Sequence, residues 1–300
     1  MELHQLRYFI AIVETGSFSK AAKRCYVTQP SLSQQIIKLE KELGRKLFDR
    51  LGSKVVLTDT GNSLLPRARR IIQETREIES EIRDDKASNN GFLSVGMIPT
   101  IAPFLLPLCH RKFKKKFPKA VIQIHENLTE NLLQMLIGFK IDIGIMSLPI
   151  NSELVEYKKL FDDPLILSVP ESFSLSKSKK VKIKDLEKLP FIALDEEHCF
   201  GEHVQTVCYE NQITPDIVCK TWNISTILNS VSLGSGISII PMMTALTNKP
   251  RNYVYKNLVE NPSRAIVSVN YRNRTKKELS LEFEKIIKEE YSKLANQKLI

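Results

Sequence analysis

The spacing of apolar residues changes near residue 91, and this change constrains the fold more than any other feature of the chain. Before it, apolar side chains recur at helical spacing, interrupted by a short alternating segment over 50–57 that predicts a β-ribbon. After it, predicted strands alternate with predicted helices, which is typical of a parallel sheet covered by helices. The sequence therefore predicts an α/β protein with a helical first part, and 300 residues suffice for two or three domains.

Residues 18–44 have the spacing of a helix-turn-helix. The second helix is predicted over 29–43, because Thr28 is a natural N-cap and Pro30 is tolerated in a first helical turn. Four apolar side chains of this helix are spaced for one buried stripe: Leu32, Ile36, Leu39 and Leu43.

The N-terminal part of that helix is predicted to read the major groove, where glutamine pairs with adenine and serine contacts base edges or phosphates. The ribbon is placed for phosphate or minor-groove contact. A polar helix face without a ligand is the alternative. The candidate DNA-contacting residues are Gln29, Pro30, Ser31, Ser33, Gln34 and Lys38 on the helix, and Arg50, Ser53 and Lys54 in the ribbon.

A long helix is predicted over 61–87, with an apolar seam at heptad spacing. A helix cannot bury such a seam alone, so a partner helix is predicted, most simply from a second copy of the chain. Packing of the seam against its own domain is the alternative. The seam consists of Leu64, Ala68, Ile71, Thr75, Ile78 and Ile82.

The formal net charge of +10 favours a polyanionic partner. The lysine-rich runs 111–116 and 177–184 are interpreted as solvated faces rather than binding sites. No run approaches the roughly 18 apolar residues of a membrane span, and the N-terminus lacks the apolar region of a secretory signal. We therefore expect a cytoplasmic protein without membrane contact.

Five cysteines without a CxxC pair argue against a disulfide framework and a zinc site, so no metal or cofactor is predicted. Cys25, Cys109 and Cys219 are interpreted as small buried apolar residues. Cys199 and Cys208 are different, because a helix between them would hold them roughly 13 Å apart, whereas a disulfide needs Cα atoms within roughly 7 Å. This pair could bond only if the intervening segment refolds, which would make it a switch.

The chain resembles the LysR-type transcriptional regulators over its whole length. The matching segments are LRYF at 6–9, GSFSKAA at 16–22, TQPSLSQ at 28–34, LEKELG at 39–44, LFDR at 47–50 and LTDTG at 57–61. The resemblance implies a winged helix-turn-helix domain over 1–60, a dimerising linker helix over 61–87 and an effector domain over 91–300. That last domain would resemble the two-lobed periplasmic binding proteins, with lobe I at 91–163 and 268–300 and lobe II at 164–267.

The family also implies partners. They are double-stranded DNA carrying a dyad-related operator, further copies of the chain in a homodimer or homotetramer, and RNA polymerase. Regulators of this kind are not enzymes, so no catalytic turnover is expected.

Within the family, the effector region resembles the peroxide-sensing OxyR regulators. The matching segments are IPTIAP at 98–103, LLP at 105–107, ENLTE at 126–130, HC at 198–199, Cys208 and GSGISIIP at 234–241. This resemblance implies that Cys199 attacks hydrogen peroxide and that Cys208 resolves the product as a disulfide. It places Thr100, Thr129 and His198, with Glu202, around the pocket that holds the oxidant.

We therefore predict a regulator of oxidative-stress genes that senses hydrogen peroxide through Cys199 and Cys208. One alternative is a LysR-type regulator of a small anionic metabolite held between the lobes, where Thr100 and Thr129 at helix N-termini would bind the anion. A simpler interpretation of Thr100 is a helix N-cap. A free-standing thiol peroxidase is a third possibility, but it would leave the helix-turn-helix without a purpose.

Overall fold

The computed structural model describes residues 1–51, 54–83, 91–272 and 278–296. The chain divides into two compact units, which are treated separately below. The first unit comprises Met1–Asn90 with Ile137–Lys140, and the second comprises Gly91–Leu136 with Ile141–Ile300. No helix in the described ranges is both long enough and apolar enough to cross a bilayer.

The first unit begins with the predicted helix-turn-helix. Its elements are α1 (Leu3–Thr15), α2 (Phe18–Arg24), α3 (Gln29–Leu43), β1 (Phe48–Leu51) and β2 (Lys54–Leu57), and the two strands pair antiparallel as the predicted ribbon. Helix α1 ends because Gly16 adopts a left-handed conformation with φ 62°. Helix α3 begins where predicted, since the Thr28 side chain accepts a hydrogen bond from the Ser31 N–H.

Apolar side chains from α1 to α3 form the core of this unit. Three members of the predicted α3 stripe, Leu32, Ile36 and Leu39, are buried together with Leu6 and Phe9 of α1. The prediction for Leu43 is wrong, because this last residue of α3 is exposed beside the Gly44 cap. The core fixes the crossing of the helices and leaves the N-terminal residues of α3 in solvent.

The linker helix α4 spans Asp59–Arg83, and the predicted residues 84–87 lie outside the described ranges. The predicted seam serves two purposes along its length. Leu64 and Ala68 pack into the core of the chain's own first unit, whereas the Ile71 and Ile78 side chains are 36% and 53% exposed. The alternative of packing against the same domain therefore holds for the first turns, and the later seam presents exposed isoleucines.

The second unit alternates strands and helices as predicted. Its elements are β3 (Phe92–Met97), α5 (Ala102–Lys116), β4 (Val121–Glu126), α6 (Thr129–Ile137), β5 (Ile143–Ser147), β6 (Val155–Pro170), β7 (Pro190–Leu194), α7 (Cys199–Glu210), β8 (Asp216–Thr221), α8 (Ile224–Ser232), β9 (Ser238–Pro241), α9 (Met242–Thr247), β10 (Tyr253–Asn257), β11 (Ser263–Tyr271) and α10 (Glu278–Ala295).

The main sheet of this unit is mixed, which corrects the predicted parallel sheet. Its strand order is β10-β6-β11-β5-β3-β4, with β9 also paired to β6. Only β3 with β4 and β3 with β5 are parallel, whereas β6, β9, β10 and β11 pair antiparallel. Strands β6 and β11 run along each other from Val155 to Pro164 of β6, and the rest of β6 pairs with β9 and β10.

Strands β7 and β8 form a separate parallel pair. Two backbone hydrogen bonds connect this pair to the segment before β9, from the Ile192 N–H to the Ile237 carbonyl (2.9 Å) and from the Ile237 N–H to the Pro190 carbonyl (2.8 Å). The loop after β7 leads directly into α7. This connection positions the two cysteines of interest.

Candidate functional site

Helix α7 carries both predicted redox cysteines. The sequence predicts this helix over 202–211, but the helix begins at Cys199, and Cys208 lies in its last turn. Nine helical steps separate the Cα atoms by roughly 13 Å, which exceeds the roughly 7 Å span of a disulfide. Cys199 is half-buried and Cys208 is fully buried. The folded helix therefore holds the two thiols apart, as the sequence predicts for a switch.

Gly201 allows α7 to lie close to the loop that precedes it. A Cβ atom at this position would collide with the backbone carbonyl oxygens of Leu194 and Asp195. A small cavity lies under the same part of the helix, lined by Phe200 and Val204 of α7 and by Ala193, Ile217 and Ile239 of the strands below. Gly201 also lines this cavity, so the helix approaches backbone carbonyls closely beside a small unfilled space.

His198 immediately precedes α7 and is 95% buried, with 5% of its surface exposed. Its ring packs edge-to-face against the Trp222 ring, with 5.2 Å between the ring centroids. Its Nε2 atom has no hydrogen-bond partner among the described residues. Burial lowers the pKa of His198 below its usual 6.5, although Asp195 and Glu197 oppose this. The imidazole is therefore neutral at pH 7 and supplies no positive charge to the neighbouring Cys199.

A second histidine, His203, lies one helical turn after Cys199. Burial lowers its pKa, and the charge of Arg264 acts in the same direction. Its Nε2 atom also lacks a partner within the described part of the chain. Two neutral imidazoles, the buried His198 and the half-buried His203, therefore lie near the first turn of α7.

Arg264 supplies a buried positive charge that sequence reasoning missed. Only 1% of its surface is exposed, and its Nε and Nη2 atoms donate to Asp163 Oδ2 at 3.1 and 3.0 Å. Asp163 Oδ1 accepts in turn from the Met243 N–H at 3.1 Å and from the Tyr291 hydroxyl at 3.4 Å. The available signal was the lone charged residue in the otherwise uncharged strand Ser263–Tyr271, because a buried cation requires a partner.

Arg264 also connects the predicted pocket residue Thr100 to α7. Its Nη1 atom donates to Thr100 Oγ1 at 2.7 Å, and its Nη2 atom donates to the Thr100 carbonyl at 3.1 Å. The guanidinium carbon lies 5.0 Å from the ring centroid of Phe200, the residue after Cys199. The interpretation of Thr100 as an N-cap is wrong, because α5 is capped by Ile101 and begins at Ala102.

The other two predicted pocket residues differ in exposure. Thr129 is the first residue of α6, and its Oγ1 atom is buried without a hydrogen-bond partner among the residues described. Glu202 is exposed on the first turn of α7. A buried hydroxyl without a partner is free to bind a small polar molecule, whereas the exposed Glu202 carboxylate is hydrated.

An acidic residue of the loop before α7 connects the helix to β8. Glu196 forms an ion pair with Lys220 of β8, and its Oε1 atom accepts from Gln205 Nε2 at 2.9 Å. These contacts lower the pKa of Glu196. Through Glu196, the side chain of Gln205 in the middle of α7 is connected to Lys220 of β8 on the protein surface.

The remaining thiols differ in burial. Burial raises the pKa of Cys208 to about 11 and that of Cys109 to about 12. Cys25 and Cys219 are only half-buried, so the interpretation as buried apolar residues is confirmed for Cys109 alone. A buried thiol of high pKa is inert while the fold around it stays closed.

The predicted DNA-contacting side chains of α3 lie in solvent. Gln29, Pro30, Ser31, Gln34 and Lys38 are exposed and Ser33 is half-buried. Gln29 Nε2 donates to Ser33 Oγ at 2.9 Å, and Lys38 Nζ lies 3.3 Å from Glu2 Oε1. In the ribbon, Arg50 and Lys54 belong to β1 and β2, and Ser53 lies outside the described residues.

Two family models match the chain. Residues 3–62 match the bacterial regulatory helix-turn-helix protein model of the lysR family, and residues 86–292 match the LysR substrate binding domain. The DNA-binding transcriptional dual regulator OxyR of Escherichia coli is 32% identical over 273 residues, covering 91% of this chain and 90% of that protein. A probable hydrogen peroxide-inducible genes activator of Mycobacterium leprae is 29% identical, covering 82% of this chain and 80% of that protein.

Solved structures give the same assignment. A full-length OxyR variant of Pseudomonas aeruginosa superposes with a TM-score of 0.79 at 25% identity, covering 100% of this chain and 96% of that one. A Corynebacterium glutamicum OxyR mutant with bound hydrogen peroxide gives 0.65 at 27%, covering 98% and 93%. CbnR in complex with its target DNA gives 0.59 at 25%, covering 97% and 99%. The chain belongs to the LysR family of bacterial regulatory proteins.

Proposed function

We propose that this LysR-family regulator senses hydrogen peroxide through Cys199 and Cys208 and controls oxidative-stress genes. The observation that carries the proposal is the placement of both cysteines on one helix, a half-buried thiol at its start and a buried thiol at its end. The names of the relatives, which include hydrogen peroxide-inducible genes activators, support the same function.

The first chemical step uses Cys199. Its thiolate sulfur attacks one peroxide oxygen, the O–O bond breaks, and the released hydroxide takes a proton to become water. The cysteine is then a sulfenic acid. The start of α7 supports the thiolate, because unpaired backbone N–H groups at a helix N-terminus favour negative charge. The buried Arg264 and the hydroxyl of Thr100 would stabilise charge that develops during attack.

The second step forms the disulfide. The Cys208 sulfur attacks the Cys199 sulfenic acid, water leaves, and the two thiols have together given two electrons to the peroxide. Because intact α7 keeps the sulfurs too far apart, this step requires the helix to unfold. The refolded segment would then carry the signal to the rest of a homodimer or homotetramer.

The output of the switch is DNA binding. We infer that α3 reads a dyad-related operator with Gln29, Pro30, Ser31, Ser33, Gln34 and Lys38, with phosphate contacts from the β1–β2 ribbon at Arg50, Ser53 and Lys54. RNA polymerase would be a further partner at the promoter. A cytoplasmic location follows from this role.

Peroxide treatment tests the proposal directly. The reduced full-length protein is exposed to near-stoichiometric hydrogen peroxide, its disulfides are mapped by mass spectrometry, and its DNA footprint is recorded before and after. We expect a Cys199–Cys208 link and an altered footprint, with the Cys208→Ser control stopping at a sulfenic acid that dimedone traps. Failure of the link to form, or an unchanged footprint after it forms, would overturn the proposal.

A small anionic metabolite is the second candidate effector, supported by the buried hydroxyl of Thr129, which has no hydrogen-bond partner in the described part of the chain. It predicts a different result in the same assay. The DNA footprint of Cys199→Ser would then still change when the metabolite is added. If the chain senses peroxide, the footprint of the same variant would no longer change when peroxide is added.

A further inference from the structure

Six lysines lie within twelve residues of the second unit, after β6 and before β7: Lys177, Lys179, Lys180, Lys182, Lys184 and Lys188. All six are exposed. We refer to them as the lysine surface. The sequence alone favoured a solvated face, but three features of the structure point to a binding surface.

The first feature is that the backbone holds this segment in place. Val181 and Ile183 are buried and alternate with Lys180, Lys182 and Lys184, which therefore project to the opposite side. The Val181 carbonyl accepts from the Val259 N–H at 2.9 Å, and Lys256 Nζ donates to the Ser178 carbonyl at 3.0 Å. The lysines are thus presented on an ordered scaffold, which lowers the entropic cost of binding.

The second feature is that nearby carboxylates are occupied by backbone groups. Asp185 Oδ2 accepts from the Lys182 N–H at 2.8 Å, and both Glu260 oxygens accept from the Ile183 N–H at 3.1 and 3.2 Å. Within the described ranges, no carboxylate lies within 4 Å of any of the six ammonium groups. The six ammonium groups are therefore free of direct ion pairs with the described residues, and they outnumber the neighbouring carboxylates of Asp185, Glu187 and Glu260.

Lysines of α5 behave differently. Lys112 pairs with Glu289 and Lys116 pairs with Glu282, both acids belonging to α10. The lysine run of α5 is therefore partly neutralised by ion pairs, because the fold places carboxylates of α10 against it. The lysine surface lacks that arrangement.

The third feature is the composition of the surface. None of the large apolar side chains that are exposed in the described structure falls between residues 171 and 190. Protein interfaces are depleted in lysine and depend on aromatic and apolar anchors, and a membrane-binding surface also inserts apolar groups. Lysines without such anchors fit the phosphate backbone of a nucleic acid.

We propose that the lysine surface of the effector domain binds the phosphate backbone of the same duplex DNA that the helix-turn-helix holds. The inference rests on the DNA-binding function of the chain and not on its response to peroxide. Attachment to a DNA-bound domain raises the local concentration of duplex around the surface, so individually weak contacts become effective. The contacts are independent of base sequence.

Salt dependence of DNA binding tests the proposal in the full-length reduced protein. Binding to a 60-base-pair duplex of arbitrary sequence is measured by fluorescence anisotropy between 50 and 200 mM KCl, about the range where counterion release is steep. The test variant is K179Q/K180Q/K182Q/K184Q. The control variant K115Q/K119Q/K285Q/K288Q removes the same charge from α5, α10 and the residues after α5, where carboxylates are interspersed. Both are checked for unchanged oligomeric mass.

Each lost phosphate contact reduces the slope of log K against log salt by about 0.9. We expect the test variant to lose about two units of slope or more, while the control keeps the wild-type slope. Equal slopes for the two variants would overturn the proposal. A wild-type protein that binds no duplex would overturn the DNA-binding function itself, which is a distinguishable result.

Lysine acetylation provides a second readout on the unmodified protein. Acetic anhydride labelling is compared with and without the same duplex, and labelled sites are quantified by mass spectrometry. Lys179, Lys180, Lys182 and Lys184 are expected to lose reactivity severalfold when DNA is present, whereas Lys119 and Lys285 keep theirs. Unchanged reactivity of the lysine surface in saturating DNA would contradict the proposal.

Discussion

Arg264 and Asp163 form a fully buried ion pair next to the proposed peroxide pocket, with 1% and 0% of their side-chain surface exposed. Burial raises the pKa of Asp163, and the guanidinium opposes that effect. A buried pair adds little net stability over an apolar one, but removing one partner strands the other charge. The pair therefore makes the position of the Arg264 guanidinium against Thr100 and Phe200 obligatory for folding.

Substitution of Arg264 tests this dependence. Arg264→Met should lower the free energy of unfolding by about 3–5 kcal/mol, because Asp163 is left buried and unpaired. The exposed Arg251→Met, the matched control, should change it by less than about 0.5 kcal/mol. Urea titration followed by circular dichroism measures both, and similar small losses in the two variants would contradict the assigned pairing.

Burial should also separate the reactivity of the two switch thiols. Because burial raises the pKa of Cys208 to about 11, we expect iodoacetamide at pH 8 to label Cys199 at least tenfold faster than Cys208 in the native protein. Cys109, with a pKa raised to about 12, is the internal control for a thiol that stays closed. In urea all three should react alike, and a native Cys208 as reactive as Cys199 would disagree with its burial.

The two histidines near Cys199, His198 and His203, predict a pH dependence of stability. The folded pKa values of His198 and His203 lie below the usual 6.5, so the unfolded chain binds protons more readily as pH falls. Their contribution is complete above pH 6.5 and is lost as pH decreases below it. We expect the midpoint of urea unfolding to fall between pH 7 and 5, and to fall less in H198N/H203Q than in wild type. An H110Q control, at an exposed histidine, should behave like wild type.

At the scale of elements, α7 has the features of a helix that must open. It lies over a small cavity and depends on Gly201 for its close approach to Leu194 and Asp195. The contacts of Glu196 with Gln205 and Lys220 fasten it from outside. Exposed ion pairs contribute little energy, so this fastening adjusts the opening of the helix without preventing it.

Removal of Glu196 tests the fastening. Glu196→Ala should speed the conversion of Cys199 sulfenic acid to disulfide by a few-fold, because the helix opens more often, and should leave the first reaction with peroxide unchanged. Stopped-flow Trp222 fluorescence with quenched-flow disulfide mapping separates the two steps. Glu197→Ala removes the same charge at an exposed neighbour without a described side-chain hydrogen bond or ion pair, and it should match wild type. Equal acceleration by both variants would indicate a charge effect instead.

The elements that sequence could predict are those whose apolar pattern is complete. Helix α3 matches its predicted range, because its cap and buried stripe are local. The apolar pattern of strand β6 predicts a strand only over 165–169, since the first half of β6 carries exposed residues such as Glu156 and Lys158 and shows no apolar alternation. Strand β10 and helix α9, of five and six residues, are too short for the sequence to show a clear apolar period.

The residues of the candidate site also differ in how far the sequence could predict their grouping. Cys199, Cys208 and His198 adjoin one short segment, so their grouping is visible in the sequence. Arg264 reaches Asp163 and Thr100 across 101 and 164 positions of the chain. The pairing of β6 with β11 places Asp163 directly opposite Arg264, and Thr100 approaches from the segment between β3 and α5. The start of α7 was misplaced by three residues, because Cys199 and Phe200 carry no capping signal.

At the scale of the whole molecule, the proposed function involves association of two copies of the chain. The α4 seam supports this, because Ile71 and Ile78 stay exposed while Leu64 and Ala68 pack into their own unit. Burying an isoleucine contributes about 1.5–3 kcal/mol, so two exposed isoleucines on a heptad seam favour a partner helix. Association through α4 would join two helix-turn-helix units on one dyad-related operator.

Substitution on this seam tests the association. Ile78→Lys should weaken dimer formation about ten- to hundredfold, because a charge replaces an apolar contact worth about 1.5–3 kcal/mol in the buried interface. Sedimentation velocity should show a shift to lower mass, and DNA affinity should fall because the two half-sites are no longer bound together. Glu74→Lys introduces the same residue on α4 off the seam and should keep the wild-type mass. If both variants sediment like wild type, the exposed isoleucines do not form the dimer contact and α4 joins the copies by another face or not at all.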